Sequence, residues 1–176
     1  MGGVEQMGFW GYFVVGKNTG PLSGLEALSE VREDLALYDE RVGGWQVWER
    51  PSELEVGDMG ALARGVCRET GAPALFAFVM GSDCVVVEAA MPDGGSWFAC
   101  LGREAMAGYL QADGLLLEDL FLSPQDAAEK GVAWAAEAGK TVELEPLVTV
   151  LSAEADPLAE ELFGYFLDVL GLERQQ

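Results

Sequence analysis

Ala74-Leu75-Phe76-Ala77-Phe78-Val79-Met80, then Gly81-Ser82-Asp83, then Cys84-Val85-Val86-Val87-Glu88-Ala89 is the stretch that decides the fold. Two apolar runs of strand length flank three turn-forming residues, which predicts a hairpin. Pro92-Asp93-Gly94-Gly95 makes a second tight turn, and Ser96 to Leu101 reads as a third strand. The product is a three-stranded antiparallel meander over about 74–101. Its middle strand is apolar at consecutive positions, the pattern of a strand covered on both faces. Asp83 at the hairpin tip suits a turn-stabilising role. Glu88, the one charge in the run, nears the strand end and is expected to be exposed.

Upstream of the meander, Asp58 is placed to cap a helix from Met59 to Thr70, with Met59, Leu62, Ala63 and Val66 inward and Gly71 as its stop. Trp45 to Glu49 reads as a short strand closed by Pro51. Phe9 to Val15, aromatic and β-branched, reads as another, ended by the turn residues Gly16 to Pro21. Between them, Ser23 and Glu26 have the spacing of a capping box. Leu25, Leu28, Val31, Leu35 and Tyr38 follow at intervals of three and four, which predicts a helix ended by Gly43-Gly44.

Downstream, Arg103 to Leu110 reads as helical and Gln111 to Leu122 as a connection. Ser123-Pro124 starts a helix that ends at Gly139. Leu144, Leu147, Val148 and Leu151 fit a helix, while Val148-Thr149-Val150 suits a strand equally well. Asp156-Pro157 repeats the cap-and-proline signature before a last helix lined by Leu158, Leu162, Phe166, Val169 and Leu170 and ended by Gly171. The expectation is one α+β domain spanning 1–176. It has a mostly antiparallel sheet of about five strands in a strand-bearing part (about 8–101), packed by helices, and a helical part (about 103–172).

The 176 residues carry 30 Asp plus Glu against 10 Lys plus Arg, with no His, for a formal charge of -20. Half the residues are hydrophobic, so the chain is not an acidic disordered tail. The missing imidazole excludes Ser-His-Asp and Cys-His relays and His-ligated zinc. The acid excess argues against nucleic-acid binding, which needs clustered cations to neutralise phosphate. Anionic lipid surfaces repel such a chain, and its longest apolar runs fall short of the ~20 residues of a membrane span.

The opening Met1-Gly2-Gly3-Val4-Glu5-Gln6 lacks the positive charge of a signal peptide, and Gln6 stands where myristoylation wants Ser or Thr. Cys67, Cys84 and Cys100, odd in number and without CxxC spacing, read as buried reduced thiols. Together these point to the cytoplasm. No cofactor or metal is indicated by any motif.

Gly11 to Asn18 nearly matches the phosphate loop GxxxxGK[ST], but the four residues between its glycines are themselves a strand. Asn18 also replaces the magnesium-binding hydroxyl. Acid–base chemistry is left to paired carboxylates: Glu118 with Asp119, Glu143 with Glu145, Glu154 with Asp156, Glu160 with Glu161. With this many acids such pairs are inevitable, and solvated helix faces account for them. Trp45 and Trp48, three apart in a strand, face opposite ways, so one belongs to the core and the other is a candidate interaction anchor. Gln111 to Glu173 holds 14 acids against Lys130 and Lys140, and the rest of the chain carries the remaining -8. A concentrated acidic face of this kind steers basic partners.

Trp10-Gly11-Tyr12-Phe13-Val14-Val15, Trp45-Gln46-Val47, Ala72-Pro73-Ala74-Leu75 with Ser82 to Ala89, and the closing Ala159 to Leu172 resemble small, acidic cytoplasmic proteins of GC-rich actinobacteria. That group has no assigned activity. The absence of Ile, with three Lys and one Asn, fits the bias of such genomes. In character, though not by motif, the chain is also similar to immunity proteins, small acidic chains that occlude basic toxin enzymes.

The functional expectation is a non-enzymatic module that binds a basic protein partner, not nucleic acid or membrane. Its candidate binding residues are Trp45, Trp48, Glu118, Asp119, Glu154, Asp156, Glu160 and Glu161. The alternatives are a carboxylate-dependent enzyme or small-ligand-binding protein, which needs an acid of raised pKa in an apolar pocket, and a structural or self-associating protein.

Overall fold

The meander forms as read: β4 (Ala74–Met80), β5 (Cys84–Ala90) and β6 (Ser96–Leu101) pair antiparallel, with Ala77 opposite Val87 and Val87 opposite Ala99. On the far side of β4 lies β1 (Gly11–Lys17), with Phe13 opposite Ala77. Then come β3 (Trp45–Arg50) and, at the edge, β2 (Ala36–Arg41). The computed structural model describes residues 9–50, 58–93, 95–156 and 158–175. It holds one antiparallel sheet in the order β2-β3-β1-β4-β5-β6, so the fold is α+β, with a sixth strand beyond the five expected. Pro51, Gly94, Pro157 and the opening segment through Gln6 lie outside the described residues.

The extra strand comes from the stretch expected to be one helix from Ser23 to the glycines. That helix does not form. Three 3-10 turns (Leu22–Gly24, Glu26–Leu28, Arg32–Asp34) are followed by β2. Leu22, Leu25, Leu28 and Val31, all buried, sit at an unbroken spacing of three. That is the period of a 3-10 turn, not the 3.6 of an α-helix. No capping box forms either. The free amides of Glu26 and Ala27 donate instead to the Glu69 carboxylate, at 3.1 and 2.5 Å. Gly43 and Gly44, both at φ +88°, turn a hairpin from β2 into β3, a conformation that glycine adopts without strain.

One face of the sheet packs on α4 (Pro124–Glu137), α5 (Leu144–Ser152) and α6 (Ala159–Val169). Residues 144–152 are therefore helical. Phe13 of β1 stacks on Phe163 of α6, with ring centroids 5.3 Å apart and planes at 11°. Trp134 of α4 is fully buried against Trp45, and its Nε1 donates to the carbonyls of Ala74 and Ala90, 3.2 Å each. A buried indole needs such an acceptor, and these bonds tie α4 to the ends of β4 and β5.

The opposite face is covered in two parts. α1 (Met59–Thr70) and the 3-10 turns cover Val14 and Phe76, and α2 (Arg103–Gln111) sets Met106 over Cys84 and Cys100. Asp58 caps α1 through Ala61 N at 3.1 Å, and Ser123 caps α4 through Asp126 N at 3.1 Å, both as the sequence implied. The cap of α6 differs. Leu158 holds that position without a side-chain bond, and Asp156 lies in the preceding bend.

Glu88 also departs from expectation. It is 7% exposed, because its side chain shares the face of Phe76 and Val86 beneath α1 and not the solvent side of a strand end.

Candidate functional site

Both sheet edges carry surface features. At the β6 edge, the segment after α2 forms the short helix α3 (Leu117–Leu120) and returns along the strand, Leu122 N donating to Phe98 O at 3.4 Å. Asp119 Oδ2 accepts from Leu116 N at 3.1 Å, which fixes the turn. Leu116, Leu120 and Phe98 stay exposed, Leu116 at 59%. Phe98 and Leu120 line a shallow cleft of about 300 Å³ with Glu118, Asp119 and Lys130. Large side chains are left outside because, among the described residues, no strand pairs with β6 on its outer side and α3 is too short to bury its apolar residues.

At the β2 edge, a cleft of about 510 Å³ runs between the strand and α6. Its lower end holds an ion-pair network. Arg41, 3% exposed, donates from Nε to Asp39 Oδ2 (2.9 Å) and from Nη1 to Asp168 Oδ1 (2.7 Å) and Leu172 O (2.8 Å). Arg174 Nε donates to both oxygens of Asp168, at 3.1 and 3.2 Å, and Arg41 and Arg174 also bridge through their backbones. The Asp168 pairing raises the Arg174 pKa. Burial, together with the nearby carboxylates of Glu49, Glu160 and Asp39, pushes the Tyr38 phenol up and keeps it neutral.

The residues singled out from the sequence scatter over these features. Trp45 is 1% exposed and belongs to the core. It is the core member of the pair and offers a partner no surface, which leaves Trp48 as the candidate anchor. Trp48 is half-buried on the opposite face, its Nε1 donating to Gln46 Oε1 at 2.7 Å. Glu118 and Asp119 sit together on the β6 edge. Glu154 Oε2 accepts from Glu104 N at 3.0 Å, at the start of α2, and Asp156 is exposed nearby in the chain. Glu160 and Glu161 line the β2 cleft, with Glu160 Oε2 accepting from Ser82 Oγ at 3.0 Å and its Oε1 buried and without a hydrogen-bond partner among the described residues. The eight thus do not form one site.

Arg41, Asp168 and Arg174 went unread in the sequence, since Arg41 and Asp168 are 127 positions apart. Burial raises the carboxyl pKa of Glu88 and of Glu49, yet neither lines the clefts described above. The three thiols are buried and pushed up to about 11 (Cys67), 12 (Cys84) and 11 (Cys100), so none is an activated nucleophile. Among the described residues no group of His, Cys, Asp or Glu gathers as a metal site, and no helix is long and apolar enough to cross a membrane.

Compared with known proteins, the chain matches no family model, and neither a curated protein nor a solved structure is significantly similar to it.

Proposed function

We propose that the chain is a protein-binding module that engages a basic partner through the β6 edge. The observation that carries this reading is the exposed apolar group Leu116, Leu120 and Phe98 on a cleft edge where the two acids Glu118 and Asp119 outnumber Lys130. Apolar side chains desolvated at the centre of a contact supply affinity, and a charged rim selects the partner and speeds encounter. The sign of the rim defines that partner: an apolar anchor flanked by Lys or Arg. A second copy of this chain is disfavoured, because each copy carries a formal charge of -20. In action the module is immunity-like, covering a basic surface of another protein in the cytoplasm.

The experiment is affinity capture with the wild-type chain and a Leu116→Asp/Leu120→Asp variant over a salt series. The reading requires a stoichiometric basic partner held by the wild type at low salt, released as salt rises, and missed by the variant. Equal recovery by both chains would remove the β6 edge from the interaction. Recovery of no stoichiometric partner by the wild type would remove the proposal.

A further inference from the structure

We propose that docking of the basic partner at the β6 edge is coupled to Glu88, the partner binding the ionised carboxylate more tightly than the neutral acid and so releasing its proton. This rests on the protein-binding reading above, to which it adds a further side chain and a dependence on pH.

The strand register places the acid. Glu88 of β5 stands directly opposite Phe98 of β6 and, on its other side, opposite Phe76 of β4. Phe98 turns its carbonyl outward, where it accepts from Leu122 N, so its backbone does not bond β5 at this position. Such a pair is the narrow kind of an antiparallel ladder, about 4.5 Å between α-carbons, which brings the two side chains closest together. The exposed anchor of the β6 edge thus has a carboxylate as its cross-strand neighbour on the same face. Phe98 stands between two acidic groups, Glu88 on the β5 side and Glu118 with Asp119 on the α3 side.

Glu88 is buried and rests against Gly60 in the first turn of α1. The charged groups facing it are Asp58, which caps that helix, and Arg64, whose Nη1 lies 3.0 Å from the point where a Gly60 β-carbon would stand. β4 and β6 set only Phe76 and Phe98 beside it. Arg64 forms no ion pair with it, so among the described residues its charge has no paired cation. Burial and Asp58 make it hold its proton more tightly than an ordinary glutamate.

The sign of the coupling follows. Covering Phe98 adds little burial to a group that is already buried, so desolvation changes little on docking. The Lys or Arg side chains flanking the partner's anchor bring positive charge beside Phe98, inside the ~8–10 Å over which salt leaves charges to act on one another. Positive charge there favours the carboxylate. The O–H bond of Glu88 breaks, its proton passes to solvent, and the carboxylate stays under the partner. By linkage, the factor by which docking lowers the proton affinity of Glu88 is the factor by which the ionised form binds the partner more tightly. Binding therefore tightens as pH rises, up to the value above 4.5 at which Glu88 of the free chain ionises.

The test follows the Glu88 Cδ signal by carbon NMR through a pH titration of the full chain, free and saturated with an amphipathic helical peptide of leucine and lysine at low salt. The expected result is a fall of about tenfold in the proton affinity of Glu88 when the peptide is bound. Glu88→Gln, checked for folding by thermal melting, stands for the neutral acid at nearly the same volume. It should bind the peptide about tenfold more weakly than the wild type at about pH 7, while Phe98 still responds. A Glu88 titration that the peptide leaves in place or moves upward overturns the coupling, as does folded Glu88→Gln binding as tightly as the wild type. Either result with a normal Phe98 response ends the coupling alone. A peptide that produces no response at Phe98 ends the protein-binding reading and the coupling with it.

Discussion

The carboxylate of Glu88 occupies the space beside Gly60 where any other residue would place its β-carbon. The first turn of α1 comes down onto the sheet at a glycine, and a strand carboxylate meets it there. Substituting Gly60 by Ala therefore drives a methyl group into that carboxylate. The expected cost is about 1–3 kcal/mol in urea unfolding, as for other overpacked sites. In a Glu88→Ala background the same change should cost much less, since the obstructing group is gone. Equal costs in both backgrounds would mean the contact does not set the spacing of α1 from β5.

The same carboxylate makes stability depend on pH. Burial, reinforced by Asp58, raises the Glu88 pKa above its ordinary value of 4.5, against the opposing pull of Arg64 and the Gly60 amide. The native state thus holds this proton more tightly than the unfolded chain, and stability falls as pH rises. The contribution is present below about pH 4.5 and is lost as pH rises through the folded value. Glu88→Gln should flatten that part of the curve and be no less stable than the wild type at neutral pH. A variant with an unchanged pH slope would assign the dependence to other carboxylates.

Trp134 is the tie between α4 and the sheet. Trp134→Phe leaves the Ala74 and Ala90 carbonyls without their indole donor and opens a void against Trp45. The loss should be about 2–4 kcal/mol by chemical denaturation. A change within a few tenths of a kcal/mol would show that water or neighbouring side chains replace the indole at no cost.

Buried thiols with pKa values near 11 to 12 are shielded twice, by packing and by protonation. Cys67, Cys84 and Cys100 should therefore resist a thiol reagent at pH 8 in the native protein and react promptly in denaturant. Fast native labelling at any one of them would contradict its placement.

The meander was legible because its evidence is local: apolar runs of strand length separated by turn residues. β2 was not. Its six residues from Ala36 to Arg41 are mostly exposed at an edge, Leu37 and Tyr38 among them, and they continue a run of apolar residues whose spacing mimics a helix face. Only the hairpin partner β3 decides the matter. The surface features divide in the same way. Glu118 and Asp119 could be picked out as acids, but the exposed leucines around them have meaning only once β6 is known to be an edge strand. Arg41, Asp168 and Arg174 meet through tertiary structure alone, and Trp45, attractive as an anchor, was taken by the core when α4 brought Trp134 against it.

The central claim, a β6 edge suited to a basic apolar partner, is tested most directly by an NMR titration of the labelled chain with a basic amphipathic helical peptide at low salt. The account predicts saturable shifts concentrated on Phe98 and on residues 115–122, reduced strongly as salt is raised and abolished by Leu116→Asp/Leu120→Asp. Shifts spread evenly over the carboxylates of the whole surface, unaffected by that variant, would contradict it.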